Sequence, residues 1–483
     1  MPSKAMRSET RGLPAGLFLG LGGGSNGSIL AQSMSSVRQI VGSRFFLVVV
    51  VFSFIPTTYP TRRDFRTHSK YLVEALSNQA ISIGDRVTAQ RFSYYNPHTF
   101  TVYISSDGGQ VYRVSPDKVD VVDNGTDGVL FMQSPTCPAF ELAEAKDDTR
   151  YFEDQMVSQI NFEDDILSSE ERGLLFSLWY YSLFFESIMP TKPILAFIGE
   201  KGSGKSITAR KVGRLLFGPT FNVTPLSSDV RDFDASVSNA YYLVIDNVDE
   251  RCNWLCDRLA ILATGGSIKK GELYTTNTMV EIPTKCYLAI TSRTPDFRRD
   301  DVADRLLIMK VKRYMTFKAE NSILKEVDTN RDAILSETIW RLQAITRALR
   351  AADGKVEDGV FRMVDFADFA IKTSRCFGKE DQIRRVFDKL SREQSFFALE
   401  NDPVFYLLSD WVAQNQGREI SNASLCDELS ALASKQHTDF PYTGKGRAFA
   451  QRMALLRPAL SEHFAITERS VGGHNMVYCY RLR

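Results

Sequence analysis

The chain has 483 residues, 43% of them hydrophobic and 24% charged, with a formal net charge of +1. This is the composition of a soluble globular protein with chain enough for roughly two to four domains. A balance so near zero gives no overall electrostatic pointer to a partner, so any basic patch has to be local.

The seven cysteines are odd in number and lack the spacing of a disulfide framework. Cys252 and Cys256 stand four apart, but no second pair or nearby histidine completes a zinc site, and all seven read as reduced thiols of a cytoplasmic protein. Residues 1–62 read as a disordered or mis-started leader. Gly16 to Ser28 is rich in glycine and serine without periodicity, and Met34 is an alternative start. The apolar run Phe45 to Ile55 is too short to span a bilayer as a helix, so no membrane association is expected.

Residues 63–140 form a small β-rich unit. Short alternating runs between Ile83 and Val122 are separated by Asn96-Pro97, Asp107-Gly108-Gly109 and Ser115-Pro116-Asp117, all turn signals. A helical lead-in occupies 141–190. Ser168, with Glu171 three residues on, is a capping box for a long apolar helix through Leu174 to Ile188. Glu186 within that stretch and Pro190 behind it exclude a membrane span.

The core, residues 191–313, is set by Gly199-Glu200-Lys201-Gly202-Ser203-Gly204-Lys205-Ser206. The eight residues match G-x-x-x-x-G-K-[ST] in full, between the apolar strand Ile194–Ile198 and a helical pattern (Ile207, Val212, Leu215, Leu216) that Gly218-Pro219 stops. Strand, glycine loop and helix aim backbone N–H groups and a helix N-terminus at phosphate oxygens. Lys205 is then the group for the β- and γ-phosphates of ATP, and Ser206 a ligand of Mg²⁺.

Tyr241 to Asp246 is a buried strand ending in an acid, placed to act on Mg²⁺-bound water. Asn247 stands where many ATPases carry a glutamate base, which leaves Asp249 and Glu250 as candidates for that role, Glu250 slightly preferred. A further strand, Tyr287 to Ser292, ends in Thr291 and Ser292, hydroxyls that can orient an attacking water. Arg305, just ahead of the strand Leu306 to Val311, can project into a neighbouring subunit's site. Arg298 and Arg299 are its rivals, and an ion pair with Asp301 or Asp304 is the plainer reading.

From Tyr314 to Leu349 the spacing is helical, and residues 314–400 read as a helical lid and connector. Residues 401–483 combine helices with a C-terminal hairpin around Gly472-Gly473, a winged-helix-like pattern. From Lys435 onward, eight Lys/Arg (435, 445, 447, 452, 457, 469, 481 and 483) face three acids (439, 462 and 468). Such an excess suits a nucleic-acid backbone.

Taken in order, Gly199–Ser206, LVIDNVD at 243–249, Thr264-Gly265-Gly266, ELYT at 272–275, Thr291-Ser292-Arg293 and DVADRL at 301–306 resemble the ATPase module of phage- and plasmid-borne primase-helicases. Those proteins stand near the superfamily III helicases in the AAA+ class, and the likeness runs from about Ile83 to Asp368. It implies an α/β P-loop NTPase core of AAA+ type, a hexameric homo-oligomer that couples ATP hydrolysis to DNA, Arg305 as an arginine finger, and Thr291 or Ser292 as a sensor. The N-terminal part carries no primase motif. Two functions follow: a DNA-dependent ATPase working as helicase or translocase, or a non-motor ATP switch that binds DNA or protein through its C-terminal domain.

Overall fold

A computed structural model describes residues 88–106, 109–132, 138–143, 150–249, 252–271, 279–293, 300–355, 361–400, 402–471 and 475–482. The leader 1–62, Glu250, Glu272–Thr275, Arg298, Arg299 and Arg483 lie outside them. The chain divides into two compact units, Met1–Phe140 and Glu141–Arg483.

In the first unit β1 (Ala89–Gln90) pairs in parallel with β6 (Leu130–Phe131). The strands β2 (Ser93–Asn96), β3 (Thr101–Ser105), β4 (Gln110–Val114) and β5 (Val119–Asp123) form an antiparallel meander. Across its face Arg113 binds Asp120 and Asp127, and the Tyr103 hydroxyl donates to Asp127 at 2.9 Å.

The second unit opens with α1 (Ser169–Ser182). Its capping box is present: the Ser168 hydroxyl accepts from Glu171 N, and the Glu171 carboxylate accepts from Ser168 N. The helix predicted to run through Ile188 stops at Ser182 because other groups take its last carbonyls. Tyr287 donates to Ser182 O at 2.7 Å and Tyr241 to Leu183 O at 2.5 Å. The buried rings Phe176 and Trp179 lie against Phe197 and Tyr242 of the sheet, which anchors α1 on it.

That sheet contains β7 (Ile194–Ile198), β8 (Thr224–Pro225), β9 (Tyr242–Asp246), β12 (Tyr287–Ser292) and β13 (Leu306–Lys310). All five strands are parallel, in the order β13-β7-β12-β9-β8. β7 is buried at every position, which accounts for its unbroken apolar run. Between the strands come α2 (Lys205–Phe217), α3 (Val230–Asn239), α4 (Leu255–Ala263) and α5 (Asp300–Ala303). A hairpin of β10 (Ser267–Gly271) and β11 (Met279–Pro283) stands ahead of β12.

The helix α6 (Glu320–Ala351) begins later than its periodicity predicts, since Tyr314 N is held by Gly202 O at 3.2 Å and residues 311–319 are not helical. Its Arg331 closes α2 by donating to the terminal carbonyls of Leu215 (2.9 Å) and Leu216 (3.4 Å), where a cation complements the helix dipole. α7 (Val364–Ser374) and α8 (Glu380–Glu400) follow. The last elements are α9 (Pro403–Asn415), β14 (Glu419–Ser421), α10 (Asn422–Gln436), α11 (Gly446–His463), β15 (Phe464–Val471) and β16 (Asn475–Leu482). They share a core of Leu408, Trp411, Leu425, Leu429, Phe449 and Leu460, with the strands in the order β14-β16-β15.

One buried ion cluster ties these parts together. Arg172 of α1 and Glu393 of α8 both have 0% exposed side chains and meet at 2.7 Å. Arg172 also binds Asp165 and donates to Ile308 O of β13 at 2.7 Å, and Lys310 reaches Asp165 at 2.9 Å. Removing one partner of such a pair strands the other charge in the interior. Arg172→Met is expected to lower the unfolding free energy by about 3–5 kcal/mol in guanidinium denaturation, and adding Glu393→Met should restore much of that loss.

Lys211 of α2 is buried too, donating to Gln155 O and Gln159 Oε1. Burial pushes its pKa down to about 8, against about 10.4 for an ordinary lysine. Between those values the unfolded chain holds a proton that the folded chain has released, so this group adds stability as pH rises through the window. Denaturation at pH 8 and pH 10 should therefore show wild type gaining stability relative to Lys211→Met.

Candidate functional site

The site lies at the carboxyl edge of the parallel sheet, where β7, β9 and β12 each deliver a short turn. β7 runs into the glycine loop. Gly202 (φ 84°) and Gly204 (φ 79°) occupy the left-handed region that glycine adopts without cost. Gly199 is needed for a different reason: a Cβ there would lie 2.1 Å from Val311 O, so only glycine lets the chain leaving β13 pass so close. Lys205 then begins α2, and its ammonium donates to Gly199 O (2.6 Å) and Glu200 O (2.8 Å). Burial lowers its pKa, opposed by the charges of Asp249 and Asp246.

Asp246, the last residue of β9, receives two hydroxyls on one oxygen. Ser206 of α2 donates at 2.5 Å and Thr291 of β12 at 2.6 Å. Thr291 Oγ1 also accepts from Asn247 N at 3.0 Å. Asn247 itself is left-handed (φ 58°), a conformation that asparagine adopts more readily than most residues. The turn it makes brings Val248 N to Thr291 O at 2.8 Å. Its residue type, read from sequence only as a departure from glutamate, thus has a backbone reason.

Asp249 is fixed in turn by Ser292 Oγ and Arg293 N, both at 2.6 Å. Thr291 and Ser292 therefore each hold a carboxylate in place. Ser206 and Asp246 form a hydroxyl–carboxylate pair, an oxygen donor set that fits a hard divalent cation completed by water and phosphate oxygens. Among the described residues no cluster of three or more His, Cys, Asp or Glu forms a closed metal site.

Lys205, Ser206, Asp246, Asp249, Thr291 and Ser292 are thus brought together, around the loop of Gly199, Glu200, Lys201, Gly202, Ser203 and Gly204. Arg305 is not. Its carbonyl accepts from Ile194 N at 2.9 Å, at the start of β7. The five residues of β7, a length of ~17 Å, separate it from the glycine loop of its own chain. Tyr314 and Phe317 were missed in the sequence: a Cβ at Gly204 would lie 2.7 Å from the Tyr314 ring, and one at Gly202 would lie 3.0 Å from Phe317. The available signal was a pair of aromatics in an otherwise polar stretch just behind a predicted strand.

Residues 163–393 match the family described as actinomycete integrative conjugative element replication protein. The centre of the chain is similar to replication proteins of mobile elements. Among curated proteins no match was found. Two solved structures align over most of the chain. One is described as "SCCmec type IV Cch - active helicase", at 13% identity over 86% of this chain and 83% of that one, with a TM-score of 0.44. The other is the apo NrS-1 C-terminal region, at 11% identity, 88% and 92% coverage, and a TM-score of 0.36. Among the described residues no helix is long and apolar enough to cross a membrane.

Gly199→Ala is expected to cost on the order of 1–3 kcal/mol by overpacking against Val311, whereas Lys201→Ala, in the exposed part of the loop, should stay within about 0.5 kcal/mol. Urea denaturation of the two variants beside wild type provides the comparison.

Proposed function

We propose that the chain is a Mg²⁺-dependent ATPase whose hydrolysis is coupled to DNA, a helicase or translocase serving the replication of a mobile element. The observation that carries this is the convergence of Ser206 and Thr291 on Asp246 beside Lys205, at the mouth of a glycine loop that opens a helix. Loop N–H groups and the N-terminus of α2 would receive the phosphates, with the Lys205 ammonium released from its loop carbonyls toward the β/γ oxygens. Ser206 and Asp246 would hold Mg²⁺, which supplies charge neutralisation on the phosphates. Thr291 keeps Asp246 aimed, and Asp249 or Glu250 would accept the proton of the attacking water. The similarity of residues 163–393 to replication proteins supports the link to DNA.

The finer architecture belongs to the same proposal. The core is of AAA+ type and works as a hexameric ring, by analogy with the resembled helicases, in which Arg305 of one subunit reaches the site of the next. The order α9-β14-α10-α11-β15-β16, with β14 against β16, supports a winged helix at the C-terminus.

One observation favours the second reading, a non-motor switch with a protein-docking C-terminal unit. Arg452 is held by Asp402 at 2.5 Å, Arg457 by Glu468 at 2.6 Å and Arg469 by Glu419 at 2.6 Å. These arginines, counted toward a basic surface, are neutralised within the fold. ATP turnover measured with and without single-stranded DNA separates the readings. The motor requires turnover that DNA stimulates, and Lys205→Ala should reduce it by about 10²-fold or more. Turnover indifferent to DNA would favour the switch, and turnover equal in wild type and Lys205→Ala would overturn the ATPase assignment.

A further inference from the structure

The strand order gives the site two unlike flanks. β9 and β12, which carry Asp246, Thr291 and Ser292, lie on one side of β7, and β13 lies on the other. The chain leaving β13 is held against the loop on that second flank. Val311 N donates to Ile198 O at 2.8 Å, Tyr314 N to Gly202 O at 3.2 Å, and the Tyr314 hydroxyl to Gln159 O at 2.5 Å. Three residues on, the edge of Phe317 touches Gly202, with Cε1 3.0 Å from where a Cβ would be. The residue is nevertheless 64% exposed, and the Arg313 guanidinium stands 5.8 Å from its ring centroid. An aromatic ring pinned beside a phosphate loop, yet left largely in water, is a surface waiting for a flat partner.

Phe317 stands on the β13 flank of the loop, across it from the flank that carries Asp246 and Asp249. We propose that Phe317 is the platform on which the base of the bound nucleoside triphosphate stacks, with the Arg313 cation beside the ring. This rests on the nucleotide reading above and adds to it the residue that binds the nucleoside half. Stacking uses a π-face that every base possesses, so such a platform contributes affinity without choosing among bases.

The test is calorimetric titration of the full chain with Mg-ATP and, separately, with Mg-tripolyphosphate, which has no base. Phe317→Ala is expected to weaken ATP about 5- to 150-fold while leaving tripolyphosphate unchanged. Phe317→Trp, which keeps a π-face, should bind ATP within about two-fold of wild type, whereas Phe317→Leu, which still covers Gly202 but lacks that face, should resemble the alanine variant. Unchanged ATP affinity in Phe317→Ala would overturn the inference and leave the nucleotide site intact. Equal weakening of both ligands would overturn it in favour of a packing role on Gly202. Binding of neither ligand by wild type would overturn the nucleotide reading itself.

Discussion

The site depends on one carboxylate. Asp246 receives a hydroxyl from α2 and another from β12, so a single buried-edge anion joins the strand that bears it to the helix after the glycine loop and to the neighbouring strand. Hydrogen bonds to a charged acceptor are stronger than neutral ones, and these two are short. Each element contributes its end, the part least restrained by the sheet. That shared acceptor gives the three turns a common reference, while Lys205 is fixed separately by the loop carbonyls and Asp249 by Ser292 and Arg293.

Further from the site, the same economy recurs with a cation at the centre. Arg172 draws together the segment before α1, the middle of β13 and the middle of α8. β13 is also the strand whose exit passes closest to the glycine loop's first residue, Gly199. Arg331 does a related job at the far end of α2, taking its last carbonyls from α6. The helix after the glycine loop is thus held at its N-terminus by the site and at its C-terminus by α6.

In the C-terminal unit the count of charges and their pairing in space differ. Five excess positive charges in its last part read as a surface for a phosphate backbone, yet three of the arginines are paired with carboxylates at positions 402, 419 and 468. Two of those partners precede Lys435, outside the stretch counted. Ion pairs formed between distant segments cancel in space charges that do not cancel in a local window.

What the sequence alone determined was local. The glycine loop with its flanking strand and helix, the acid ending β9, the hydroxyls ending β12 and the capping box of α1 were all legible, because each is specified by residues within a few positions of one another. What only the tertiary structure decided was where chain segments far apart in number meet. That Thr291 and Ser292 position carboxylates, that Asn247 makes a left-handed turn, that Tyr314 and Phe317 lie on the loop at Gly202 and Gly204, and that α6 starts at Glu320 all follow from contacts across 40 or more residues. Periodicity reports which face of an element is apolar. It carries no information on the element that will cover that face, since this is set by the strand order of the sheet and the close passage that one glycine allows.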